Sequence, residues 1–171
     1  MGSLRTFIEL NNQIILFAYG LVFFTLGLAI AFQSRHYSRL DLARSLSWLA
    51  AFGILHGLYE WAELFSPVQE AYLSPANIRL LHTLHLIFFA SSVACLLEFG
   101  VAVLRPFGKG RWLRGLSTGL WLAWAVLGFV VLPPLIADPL EWHETTEALA
   151  RYLIAFPASL LAGYGLRQQT L

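Results

Sequence analysis

The chain has 171 residues and a formal net charge of +1, with 58% hydrophobic and only 12% charged residues. That charged share is about half the ~25% of an ordinary soluble domain, and the apolar excess runs along the whole length, which excludes a soluble domain carrying a single anchor. No basic face exists for nucleic acid, and a single cysteine, Cys95, excludes an internal disulfide.

At about 20 residues per membrane-crossing helix, the length accommodates five spans. The expected fold class is therefore all-α: a polytopic membrane protein, one transmembrane domain over residues 1–171, with five transmembrane helices in a bundle. No cleaved signal peptide is expected, because the first apolar run lacks a basic flank and a small-residue cleavage site. Span one covers about 14–32 and contains Gly20 and Gly27, small residues that helices in membranes use for close packing. The loop that follows, 33–45, holds Arg35, Arg39 and Arg44 against Asp41. Span two covers about 46–65. The connection 66–77, with Pro67 and Pro75, reads as an irregular loop whose Ser74-Pro75 end suits a helix start, serine as cap and proline in the first turn. Span three covers about 78–104. A second basic loop carries Arg105, Lys109, Arg111 and Arg114 among Pro106, Gly108 and Gly110. Span four covers about 116–132 and stops at Pro133-Pro134. An acidic loop with Asp138, Glu141 and Glu144 leads to span five, about 148–166, which Pro157 interrupts and Arg167 follows. A proline there frees a backbone carbonyl and predicts a kink.

Basic residues in short loops face the cytoplasm. The two basic loops are therefore expected inside, with the N-terminus outside and the C-terminus cytoplasmic, in a bacterial inner membrane. Trp61, Trp112 and Trp142 fall near the expected interfaces.

Span two carries the chemistry. His56, Glu60 and Glu63 lie at i, i+4 and i+7, one polar stripe on one helix face. Ionisable groups at membrane depth are costly unless they face protein or water, so they mark functional candidates. Span three returns with His82 and His85 one turn apart. If the two helices are antiparallel neighbours, His85 is expected opposite His56 and His82 opposite Glu60. Three readings of this layer stand side by side. It is a satisfied polar network, in which Glu60 accepts from His82 and Tyr59 or a serine closes the rest. It is a cofactor site, either a zinc, copper or iron centre on His56, Glu60, His82 and His85, or haem b held between His56 and His85. Or it is a proton- or ligand-sensing site, in which His and Glu titration biases helix packing.

Around this layer, Arg151 is expected to pair with Glu147 or Glu63. Glu98, deeper in span three near Cys95, is a candidate relay or ion ligand that also has Arg105 within reach. His143 is a candidate lid, and His36 belongs to the basic loop. Cys95 reads as a small apolar filler. No nucleotide-binding, zinc-protease, hydrolase, kinase or cyclase motif occurs, so the chain is not expected to be an enzyme.

The segment Leu55-His56-Gly57-Leu58-Tyr59-Glu60-Trp61, the basic turn Arg35-His36-Tyr37-Ser38-Arg39-Leu40, and the exit from Phe156-Pro157-Ala158-Ser159 to Tyr164-Gly165-Leu166-Arg167 resemble the multi-pass N-terminal membrane sensory region of bacterial sensor histidine kinases and diguanylate cyclases. The resemblance covers most of the chain and implies signal transduction in a two-component or cyclase setting, with His56, Glu60 and Trp61 as the residues that carry over. It implies as partners the lipid bilayer and either a second copy or a separate cytoplasmic signalling protein, and no nucleic acid. The expected function is a sensory or ligand-binding module that relays a ligand, proton or cofactor state to a cytoplasmic output; the alternative is a haem- or metal-binding electron-transfer subunit.

Overall fold

The structure, a computed structural model, describes residues 2–36, 41–105 and 110–169, with side chains for 11–34, 45–105 and 112–169. Every regular element among them is helical. The helices are α1 (Gly2–His36), α2 (Asp41–Glu70), α3 (Pro75–Leu104), α4 (Gly110–Val126, continued by a π turn over Leu127–Val131) and α5 (Pro139–Ala150, a π turn over Arg151–Ala155, then Phe156–Gln169). The side chains of Arg35, Arg39, Arg44, Lys109 and Arg111, five of the basic residues on which the expected orientation rests, lie outside the described residues, as does that of His36.

Segments in four of the five helices are long and apolar enough to cross a membrane: Asn11–Ser34, Pro75–Leu104, Trp112–Val131 and Pro139–Gln169. The exception is α2, whose His56, Glu60, Glu63 and Glu70 dilute its apolar character. Four of the five spans read from the sequence thus meet that measure, and the fifth is the one whose polar stripe the sequence already marked.

Helix ends differ from expectation in ways that move the site. Residues 66–77 are not an irregular loop. Helix α2 continues through Pro67 to Glu70, because a proline in the last turn forfeits a single backbone bond. A turn of four residues, 71–74, then reverses the chain. Ser74 caps α3 as its sequence predicts, accepting from Asn77 N–H at 3.4 Å with Pro75 in the first turn. The expected acidic loop is largely helix as well. Asp138 caps α5 by accepting from Leu140 N–H at 3.1 Å, Pro139 follows in the first turn, and Glu141 sits favourably at that helix N-terminus. The irregularity expected at Pro157 takes the form of the π turn just before it. Proline has no N–H for the carbonyl four residues back, and the chain widens so that Phe156 N–H reaches Arg151 O, five back. The same widening precedes Pro133, with Leu132 N–H on Leu127 O at 2.9 Å.

Helix α3 is the hub. Over half (56%) of its apolar segment is buried inside the protein, against 11% for α1, 17% for α4 and 28% for α5. Leu86, Leu97, Phe99 and Val101 on α3 are fully enclosed. Among the described residues, α2, α4 and α5 all pack on α3, α1 packs closely on α2 alone, and the backbones of α2 and α5 do not approach each other. The α1–α2 seam is glycine on glycine. A Cβ on Gly57 would stand 2.6 Å from Gly20 O, and one on Gly27 would stand 2.6 Å from Ile54 N. Gly20 and Gly27 therefore have the close-packing role their sequence suggests, and their partners are Gly53 and Gly57, a G-x-x-x-G pair on α2.

Candidate functional site

Because the backbones of α2 and α5 stay apart while both helices pack on α3, a gap remains between them. It forms a cleft of ≈ 630 Å³, floored by Phe89, Val93 and Leu96 of α3. One wall comes from α1 and α2, with Phe23, Phe52, His56 and Glu60. The other comes from the π turn of α5 and the residues after it, with Arg151, Tyr152 and Phe156. A volume of this size lies within the range of small-molecule sites. π turns in longer helices are often found at functional sites, where they re-aim side chains, and here the π turn begins at Arg151.

The polar groups form rungs between α2, α3 and α5. On the deepest rung, His56 Nδ1 lies 3.2 Å from Ser92 Oγ. The Ser92 hydroxyl donates its only proton to Phe89 O at 2.7 Å, so it accepts from His56, and Nδ1 carries a hydrogen. The other nitrogen, Nε2, faces Glu60 Oε1 at 3.6 Å. The ring is enclosed by aromatic side chains: Phe52 is stacked on it at 5.2 Å, and Phe23 stands edge-on at 4.7 Å.

The next rung crosses the gap. Tyr59, nearly fully buried, donates from its hydroxyl to Glu147 Oε1 at 2.6 Å. Arg151 also donates to Glu147 Oε1, while its guanidinium lies 5.5 Å from the Phe89 ring centre. This Tyr59–Glu147–Arg151 strap joins α2 to α5. Further out, His85 Nδ1 lies 3.3 Å from Ser66 Oγ and 3.7 Å from Glu63 Oε2. On the outermost rung, His82 Nε2 pairs with Glu70 Oε1 at 3.1 Å, and the His143 ring stands edge-on to His82 at 5.1 Å. His143 is buried against His82 and not exposed on the surface, so it closes the outer end of the layer.

The expected pairings are therefore shifted. His85 does not face His56, and His82 does not face Glu60; their partners are Glu63 and Ser66, and Glu70. The two helices sit about two turns out of the expected register, with His56 opposite Ser92 and not His85. The two candidate haem ligands are not brought onto one rung: His56 is level with Ser92, seven residues and about 10 Å along α3 from His85. The metal set His56, Glu60, His82 and His85 is likewise divided between separate rungs, and among the described residues no three His, Cys, Asp or Glu side chains are grouped to hold a metal ion.

Arg151 takes the first of its two expected partners, Glu147. Glu98 does not join the layer: it lies further along α3, where Ser117 of α4 donates to it at 2.6 Å. Cys95 is half-buried and unpaired by any disulfide. Reading the sequence alone missed Ser92 and Glu147. The signal for Ser92 was a serine pair, Ser91-Ser92, inside an otherwise apolar span; Glu147 lay one turn before Arg151 but was weighed only as its partner.

No family model, no curated protein and no solved structure matches this chain.

Proposed function

We propose that this protein is a bacterial inner-membrane sensory module in which occupancy of the α2–α5 cleft sets the packing of α5 and so reports to a cytoplasmic output. In this reading all five helices cross the bilayer, α2 included, because its polar stripe is turned toward α3 and α5 and away from lipid. The outward faces support this: Ile14, Val22, Leu122, Val130 and Leu160 are all more than half exposed, an apolar exterior that suits acyl chains. The basic loops favour an N-terminus outside and a C-terminus in the cytoplasm. Helix α5 then delivers the change, either to protein sequence beyond it or to a separate signalling partner.

The observation that carries this reading is the gap itself: two helices held apart over a common floor and joined by the Tyr59–Glu147–Arg151 strap. A ligand shifts such an arrangement by the difference in its affinity for two packings, and α5 is the mobile partner because its π turn already interrupts the regular ladder.

The test places spin labels at Leu58 on α2 and Leu160 on α5, in a Cys95→Ala background in lipid nanodiscs. Ala155→Trp fills the cleft as a surrogate ligand, and Tyr59→Phe cuts the strap. Helix displacements at such sites run to about 1–2 Å, so both variants are expected to move the α2–α5 distance distribution by that amount or more. Gly163→Trp, at a position with open space around it, is expected to leave it in place. Superimposable distributions in all of these proteins would refute the proposal.

A further inference from the structure

The cleft also shows what kind of molecule it accepts, an inference that rests on the sensory reading above. With Nδ1–H committed to Ser92, His56 presents Nε2 to the Glu60 carboxyl group. If neither carried a proton, a lone pair would face a carboxylate in a low-dielectric cleft, an arrangement disfavoured by repulsion and desolvation. The pair therefore holds one proton, either as imidazolium with carboxylate or as imidazole with carboxylic acid, and is neutral overall both ways. At 3.6 Å the two atoms are too far apart for a direct hydrogen bond, so the shared proton is left available to an acceptor in the cleft. Groups facing the pair are Tyr19 from α1, Tyr59 and Glu63 on α2, and Glu147 and Arg151 from α5; the α3 face opposite adds only Ser92 and aromatic carbon.

On the opposite wall, Arg151 balances Glu147, so this second pair is also neutral. The bond to Glu147 uses one of the five guanidinium N–H groups, and the side chain is 61% exposed where it lines the cleft. The cleft lining thus offers hydrogen-bond donors on two opposing walls, no net charge from the two pairs (Glu63 lies outside the lining, against His85), and aromatic faces between them.

We propose that the cleft binds a neutral, lipid-soluble molecule with a planar ring bearing carbonyl oxygens on opposite sides: the quinone class. One oxygen accepts from the His56–Glu60 pair and the other from Arg151. The ring lies among Phe52, Phe89 and Phe156, and its apolar tail leaves past the exposed Tyr152 and Phe156. A fatty-acid carboxylate or a quaternary ammonium would add an uncompensated charge to a balanced site, which disfavours both.

The test measures decylubiquinone retained by the protein in nanodiscs above that retained by protein-free nanodiscs, with decylbenzene as the carbonyl-free control. Wild-type protein is expected to retain excess decylubiquinone and no excess decylbenzene. Glu60→Ala, which leaves His56 with no proton on Nε2, is expected to weaken retention about tenfold, the scale of one hydrogen bond. No excess decylubiquinone would overturn the assignment. So would equal excess of decylbenzene, which would mark the cleft as a slot for acyl chains only, or wild-type retention in a folded Glu60→Ala protein. If that variant does not fold, the comparison of the two probes on wild-type protein decides. Failure here alongside a moving α5 in the spin-label experiment would remove the quinone and leave the sensory reading standing.

Discussion

Gly57→Ala tests whether α1 is held by backbone-to-backbone contact. The added Cβ would stand 2.6 Å from Gly20 O, 2.8 Å from Phe24 N and 2.8 Å from Phe24 Cβ. Two of these are backbone atoms, which cannot swing aside as the end of a flexible side chain can. Reaching ordinary van der Waals contact at 3.4 Å requires about 0.8 Å of separation, so α1 must move as a body. Overpacking of this kind costs about 1–3 kcal/mol. Two substitutions elsewhere provide the control. Gly115 and Gly163 have nothing within 4 Å of a built Cβ, and alanine there gains up to about 1 kcal/mol from helix propensity alone. The same change therefore has opposite signs at 57 and at 115 or 163. Unfolding in mixed micelles under increasing sodium dodecyl sulfate, followed by the reactivity of Cys95 as the sole thiol, measures all three. The reasoning is refuted if Gly57→Ala is as stable as Gly163→Ala.

Other expectations follow from individual bonds. Tyr59→Phe keeps the buried ring and removes a hydroxyl bonded to a charged acceptor, a loss of about 1.5–3 kcal/mol in the same unfolding assay. Ser92→Ala leaves His56 Nδ1–H without an acceptor in an aromatic enclosure, and is expected to cost about 1–3 kcal/mol and to change the His56 imidazole nitrogen signals in ¹⁵N spectra; unchanged signals would contradict the tautomer assigned from Ser92. Trp124 donates to Thr146 O at 3.0 Å from a buried position, so Trp124→Phe is expected to lose both that bond and ring volume, and to destabilise more than Trp112→Phe at an exposed site. Asp138→Ala removes the α5 cap and is expected to cost about 1 kcal/mol, visible as faster hydrogen exchange confined to the first turn after 139.

Faces were easier to read from the sequence than positions along the axis. The i, i+4, i+7 spacing of His56, Glu60 and Glu63 placed them together on one side of α2, and all three side chains are turned toward α3 and α5 or the cleft between them. That much follows from helix geometry, which is local. The partners of these residues depend on where each helix stops and on how far the helices slide along each other. Pro67 read as a terminator, yet α2 runs five residues beyond Phe65 and α3 starts three before Ile78. The first change moves the neighbour of His56 five residues on along α3 and the second moves it three back, so the helix ends account for two of the seven residues that separate the expected neighbour, His85, from the actual one, Ser92, and the rest is axial sliding set by packing between the helices. A slip of about two turns returns the same helix face, so the polar stripe still meets polar residues while every pairing changes. Glu147 illustrates the same limit at greater range. It is 88 residues from Tyr59, and it enters the site only because Asp138-Pro139 starts α5 early enough to carry it there. The Ser74-Pro75 start was recognised from the same serine-or-aspartate-then-proline grammar, so the α5 start was equally legible. Reading it would have brought Glu147 into a helix one turn ahead of Arg151. The cleft was beyond that grammar, because it arises from the α2 and α5 backbones standing apart across α3, bridged only by side chains, and no spacing within a single helix encodes a gap between two.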